Sequence, residues 1–251
     1  MQKIKLLAHR QASNKLFVLT FERPEGFSFK AGQFARLGLP SADPAVAEPV
    51  IRAYSIASAP ETDHLEFFIT AVEGGALSPR LAALQPGAEV LLDGEAQGAL
   101  TPERVPGGET LWLMATGSGL SPFASMIRSE SVWQQWQDIV LVESVRTFDE
   151  AVLARELVAV MPEGRRPHLL IATTRETDPT RQGDLVGRIP ALLMSGELER
   201  VSGRTISAEK SRLLLCGNPG FIADTRTALK ERAIVSPRFG RPGQLVVENF
   251  W

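Results

Sequence analysis

Along the first part of the chain, apolar residues fall on alternate positions in short runs, each closed by a turn signal. The runs are KLFVLTFE (15–22), FKAGQFARLGL (29–39), VIRAYSIAS (50–58), HLEFFITAV (64–72) and AEVLLDGEA (88–96). Alternation puts every second side chain on one face of a strand, and β-branched and aromatic residues suit that surface. Many short strands at regular spacing predict a closed antiparallel barrel or a sandwich, and the barrel is the reading adopted here. Only LSPRLAAL (77–84) departs from the pattern. It predicts one short helix, with Ser78 at the N-cap, Pro79 at the first helical position and Gly87 past its end.

From residue 110 the period changes. TLWLMATG (110–117), DIVLVESV (138–145), HLLIATT (168–174) and SRLLLCG (211–217) are almost continuously apolar, as strands buried on both faces are. Helical patterns lie between and after them: SPFASMIRSES (121–131, with Ser121 and Pro122 as N-cap and first residue), FDEAVLARELVAVM (148–161), GRIPALLMSGEL (187–198) and IADTRTALKERA (222–233). This alternation predicts a doubly wound parallel sheet covered by helices. The Pro- and Gly-rich LTPERVPGGET (100–110) marks the junction. The expected plan is an N-terminal antiparallel β-barrel domain over residues 1–103 and an α/β domain over residues 104–251.

Composition narrows the chemistry. The 251 residues carry a net charge of −2, which gives no bulk electrostatic case for nucleic acid or an anionic membrane as partner. The single cysteine, Cys216, supplies neither a disulfide nor a thiolate cage for zinc or iron–sulfur. His9, His64 and His168 show no metal-ligand spacing. No signal-peptide core or bilayer-length apolar run is present, so a cytoplasmic protein is expected, and any redox cofactor is organic.

Several stretches ask for a ligand. In RAYS, Arg52, Tyr54 and Ser55 interrupt a strand that packing alone does not explain. ATGSGLSP places Gly117 and Gly119 between a strand and a helix, where a pyrophosphate can approach the backbone, although Pro122 breaks the G-x-G-x-x-G pattern. A tight strand-to-helix turn accounts for the same glycines. Arg146, Arg175 and Arg188 follow the second strand, the third strand and the start of a helix. Together they suit a phosphate monoester, and singly each reads as surface arginine. Glu143 argues the other way, since an acid at the end of the second strand is the device of NAD rather than NADP enzymes.

In this order and spacing, RAYSIAS, GALSPRLAALQPGAEV, ATGSGLSPF, RETD…GDLVGRIPALLMSGELE, LLLCGNPGF and the aromatic C-terminus resemble the ferredoxin/flavodoxin–NADP reductase family, bacterial type, over nearly the whole chain. The resemblance implies FAD and NADP(H) as cofactors. It also implies electron transfer between NADPH and a transiently bound ferredoxin or flavodoxin, by a monomer. On FAD it places Arg52, Ala53, Tyr54 and Ser55, then Phe68, Ile69, Thr70 and Ala71, then Ala76, Leu77 and Ser78 at the diphosphate. Thr116 and the stacking aromatics Phe250 and Trp251 complete that set. On NADP it places Thr116, Gly117, Arg146, Thr174, Arg175, Arg188, Cys216, Gly217, Asn218, Pro219 and Asp224. Ser55, Cys216 and Glu248 are the implied catalytic residues. Phe250 stands where the family usually has tyrosine. The same two-domain plan also serves reductase components of oxygenases, free-flavin reductases and non-catalytic flavoprotein sensors.

Overall fold

The computed structural model describes residues 1–43, 45–238 and 240–249. Six antiparallel strands form the first unit: β1 (Gln2–Gln11), β2 (Leu16–Glu22), β3 (Phe34–Leu39), β4 (Val50–Ser55), β5 (His64–Thr70) and β6 (Glu89–Gln97). Their order is β4-β3-β6-β1-β2-β5. The two ends of that order meet, because Ile56 bridges Phe67 and the Ala57 amide donates to the Glu66 carbonyl at 2.7 Å. This seam closes the barrel around Leu19, Phe21, Leu37, Ile56, Leu65 and Phe67.

Two local expectations are corrected here. The first strand, β1, was not expected; only Ile4 and Leu6 along it are fully buried, while Leu7 faces solvent and a register shift follows. In the short helix α1 (Ser78–Ala82), Ser78 is inside the helix and not its cap. Its Oγ accepts from the Val72 amide at 3.1 Å, which ties the helix entrance to the end of β5.

The second unit is a parallel sheet of β7 (Thr110–Thr116), β8 (Asp138–Val145), β9 (His168–Thr173), β10 (Leu185–Val186), β11 (Ser211–Gly217) and β12 (Leu245–Asn249), ordered β10-β9-β8-β7-β11-β12. Its helices are α2 (Leu120–Arg128), α3 (Glu130–Gln135), α4 (Val152–Ala159), α5 (Ile189–Met194), α6 (Glu197–Ser202) and α7 (Pro219–Lys230). Successive strand residues go to opposite faces. Leu113, Leu141 and Leu214 join one core, and Trp112, Val140 and Leu213 the other. Burial on both faces explains the unbroken apolar runs.

Helix boundaries differ from expectation where backbone geometry overrides composition. A single turn of tighter helix, Gly117–Gly119, precedes α2, so Ser121 lies within the helix and Gly119 at its N-cap. The stretch 187–198 breaks at Gly196, whose φ of 76° ends α5 before α6 begins. Helix α7 starts at Pro219 because the Asn218 side chain accepts from the Phe221 amide at 2.9 Å.

The two units share one core. Val18, Ala31, Ala57, Phe68 and Leu100 pack with Phe123, Ala124, Met126 and Ile127 of α2. Among the described residues no helix is long and apolar enough to cross a membrane.

Candidate active site at the meeting of the two units

From β7 the chain runs outward through β8, β9 and β10, then returns to place β11 on the other side of β7. Ligands of such sheets bind beyond the carboxyl ends of the strands at this reversal point. Thr116 and Gly117 lie there on one side, and Cys216, Gly217 and Asn218 on the other. The turns fit together closely. A β-carbon on Gly119 would stand 2.1 Å from the Cys216 carbonyl oxygen, and one on Gly217 would stand 2.1 Å from Thr116 Oγ1. Thr116 Oγ1 accepts from the Asn218 amide at 3.2 Å and from its Nδ2 at 3.3 Å. Gly117 differs. Its φ is 56°, and a β-carbon there would meet nothing within 4 Å, so the backbone faces open space.

Strand β12 extends this edge. Its register pairs Glu248 with Cys216 and Asn249 with Gly217. Glu248 then reaches the barrel: Ser55 Oγ, buried at the end of β4, donates to Glu248 Oε1 at 3.4 Å. A β-carbon on Gly98, just after β6, would lie 3.3 Å from Glu248 Oε2. Burial raises the Glu248 carboxyl to about 7, with the Ser55 hydrogen bond opposing the rise. Burial, and then the Glu248 charge, push the Cys216 thiol well above its ordinary value, so it is a thiol at neutral pH. Phe250 and Trp251 lie outside the described residues.

On the barrel side, Arg52 and Ala53 are exposed and Tyr54 is half-buried. Burial raises the Tyr54 hydroxyl to about 12, against the pull of Arg52. Arg52 Nη1 donates to the Ile51 carbonyl, and among the described residues Arg52 has no carboxylate partner. Thr70 is partly exposed and Ile69 fully buried. Two of the backbone groups expected to face a ligand already have partners: the Ala71 amide donates to Lys15 O at 2.8 Å, and the Phe68 carbonyl accepts from Ser121 Oγ at 3.4 Å. The amides of Ala76, Leu77 and Ser78 find no protein acceptor among the described residues, as an anion-binding turn requires.

The arginines gather at one end of the sheet. The Arg175 amide donates to the Arg146 carbonyl at 2.8 Å, just past the β8–β9 pairing, where Thr174 Oγ1 also donates to Val145 O. The Gly187 amide donates to Thr173 O at 2.9 Å, which brings Arg188 to the same end. All three are exposed, and none of their guanidinium groups has a carboxylate partner among the described residues, although the Arg146 amide donates to Glu150 Oε2 at 3.0 Å. Pro219 opens α7, and Asp224 lies on its exposed face.

Glu143 is not placed as its sequence position suggested. It lies inside β8 between Ala115 and Ile171, is buried, and has an unpartnered Oε2. Burial, then Glu150, raise it to about 8. A neutral, enclosed carboxyl does not present a ribose acceptor at the sheet edge. Gly98 shapes the site and carried no signal of it in the sequence, because its role depends on backbone packing between distant segments; Gly119 was marked by its turn motif, but its fit against the Cys216 carbonyl was not.

Comparison with known proteins finds matches in both parts of the chain. Residues 3–100 match the oxidoreductase FAD-binding domain family, and residues 113–227 the oxidoreductase NAD-binding domain family. The chain is 39% identical over 243 residues to the flavodoxin/ferredoxin–NADP reductase of Escherichia coli (strain K12), covering 95% of this chain and 94% of that protein. It is 36% identical over 246 residues to ferredoxin–NADP reductase A of Sorangium cellulosum, covering 94% and 85%. Among solved structures, a ferredoxin NADP+ reductase from Neisseria gonorrhoeae with bound FAD and NADP superposes with a TM-score of 0.89 at 34% identity, covering 99% and 98%.

Proposed function

Because this chain belongs to the flavodoxin/ferredoxin–NADP reductase family, we infer that it is an enzyme that moves electrons between NADPH and a ferredoxin or flavodoxin through FAD. The observation that carries the reading is the Ser55–Glu248 contact, which joins the barrel to the coenzyme-domain sheet beside Cys216. We assign residues 1–103 to FAD and residues 104–251 to the coenzyme.

The residues fit both groups. Arg52, without a carboxylate partner among the described residues, and the amides of Ala76, Leu77 and Ser78, open among those same residues, suit a diphosphate. Tyr54 offers a half-buried ring for a flat system. Gly117, with open space before its backbone, suits the coenzyme's pyrophosphate. Arg146, Arg175 and Arg188 suit a 2′-phosphate, which favours NADPH. When bound, FAD supplies the exchange between two-electron and one-electron transfer.

The chain's own work is positioning and proton supply. Near neutral pH both forms of Glu248 are populated, so it can hold or release the proton that Ser55 Oγ shares with it. Buried Cys216 stays neutral and acts by shape, since its carbonyl receives Gly119 and fixes the coenzyme turn.

The deciding experiment is an anaerobic titration. NADPH should bleach the flavin absorbance of the purified protein and NADH should do so far less well. The reduced protein should then pass electrons to a ferredoxin or a flavodoxin. A colourless protein, or no bleaching by either coenzyme, overturns the reading.

A further inference from the structure

Helix α2 begins at the coenzyme turn and ends against the seam that closes the barrel. Its last residue, Arg128, donates from Nη1 to the Ala57 carbonyl at 2.9 Å and to Glu66 Oε1 at 2.6 Å. Ala57 and Glu66 are themselves the pair whose backbone hydrogen bond closes β4 onto β5. The guanidinium also sits over the Phe68 ring, 5.9 Å from its centroid. The ion pair is largely enclosed, with side-chain exposures of 30% and 16%. Ser129, one residue on, donates to Glu61 at 2.7 Å, and Ser121, the second residue of the helix, lies 3.4 Å from Phe68 O, with its shorter bond to Ser118 O at 3.1 Å.

Strand β4 carries Arg52, Tyr54 and Ser55, and β5 leads through Phe68 to Ala71. The seam therefore sets the spacing of the two strands assigned to FAD. The other end of the same rigid helix sets the position of the coenzyme turn through Gly119. We propose that Arg128 is a positioning residue: by clamping the β4–β5 seam to helix α2 it fixes the distance between the flavin-binding strands and the coenzyme turn. This rests on the flavin and NADPH reading above.

Arg128 is suited to the task. A guanidinium presents several donors in a fixed plane, so one side chain binds a carbonyl and a carboxylate without choosing between them. It also ends a helix, where a cation is favoured. Removing it leaves the largely enclosed Glu66 carboxylate unpaired and takes away the tie between helix α2 and the seam, whose own backbone bond remains.

The test compares the holoenzyme with Arg128→Gln, Arg128→Lys and Glu66→Ala, with Arg200→Gln on the exposed α6 pair as control. Single-turnover bleaching by NADPH should slow about tenfold in Arg128→Gln, with KM for NADPH held within about twofold, because misplaced groups lose rate more than binding. The primary isotope effect with deuterated NADPH should become temperature-dependent. Hydrogen exchange at the Ala57 amide should rise in the same variant. Arg128→Lys, which keeps the charge but not the fixed plane of donors, should recover only part of the rate, and Arg200→Gln should change nothing. A native bleaching rate and isotope effect in Arg128→Gln would overturn the proposal. So would a rate loss matched by a rise in KM with an unaltered isotope effect. If Arg128→Gln does not fold, Glu66→Ala, which removes the acceptor itself, decides by the same readings. If NADPH fails to bleach the native protein, the functional reading has failed, and exchange at Ala57 still reports on the clamp.

Discussion

Ser55 and Glu248 stand 193 positions apart in the chain, and their side-chain oxygens meet at 3.4 Å. One closes a barrel strand, the other lies on the edge strand of the parallel sheet. With the Glu248 carboxyl near 7, the pair changes protonation in the working range of a cell. The pH profile of kcat should therefore carry an inflection near 7. Glu248→Gln keeps the shape and cannot ionise, so its profile should lose that inflection and its kcat should fall on the order of a hundredfold. A native enzyme whose kcat does not vary across this range would remove Glu248 from proton transfer.

The arginine group predicts coenzyme preference. Arg175→Ala and Arg188→Ala should each raise KM for NADPH by roughly tenfold or more, the loss of one charge-assisted hydrogen bond of about 1.5–3 kcal/mol. KM for NADH should barely move, since that coenzyme lacks the 2′-phosphate. Steady-state kinetics with both coenzymes checks this; equal losses would make the arginines structural.

Glu143 predicts the pH dependence of stability. Its ordinary value is 4.5, and in the folded protein it is about 8. Between those values the folded state holds a proton that the unfolded state has released. Its contribution is thus fully present below 4.5 and declines as pH rises toward 8, by about 1.4 kcal/mol per pH unit. Glu143→Gln abolishes the slope. Relative to the native protein, the variant should gain stability steadily from pH 5 to pH 8 in urea denaturation. The rise of Glu248 is common to both proteins and cancels in the difference. A constant offset across that range would mean that the carboxyl is ionised in the fold.

Gly119→Ala tests the coenzyme turn. The added carbon would meet the Cys216 carbonyl at 2.1 Å, so the turn must shift. Overpacking of this kind costs about 1–3 kcal/mol. A fall in Tm of several degrees together with a raised KM for NADPH is expected, with FAD content unchanged. An alanine variant that binds NADPH normally would show that the turn has room to move.

Much of this was legible in the sequence where a strand is buried on both faces. DIVLVESV and HLLIATT could be read as strands because each carries an unbroken apolar run at its centre, Ile139–Val142 and Leu169–Ala172. β1 was not, since QKIKLLAHRQ sends only Ile4 and Leu6 fully into the core and interrupts its apolar residues with Lys3, Lys5 and Arg10. Ser78 and Ser121 have the composition of N-caps, yet neither caps its helix: the Ser78 hydroxyl accepts from Val72 N, and that of Ser121 donates to Ser118 O at 3.1 Å and lies 3.4 Å from Phe68 O. Ser55 and Glu248 were named through resemblance, while their contact depends on how two units pack. Nothing local marks Arg128 or Glu66, which lie 62 positions apart on different units. Glu143 was read as an edge acid because the sequence gives the strand but not the depth at which a side chain sits along it.

The place of β6 in the barrel also governs the order in which a growing chain can fold. β1 and β2 form one hairpin and β3 and β4 another, and β6 is the strand that hydrogen-bonds to both, pairing with β1 through Val90 and with β3 through Leu92. Until Gln97 has been added during synthesis, the edges of β1 and β3 that bear Ile4 and Leu37 have no partner. Unpaired strand edges with apolar side chains are prone to join other chains. Through the translation of residues 40–97 both edges therefore stay open, and the free edge of the first strand made is closed only by the last strand of the barrel.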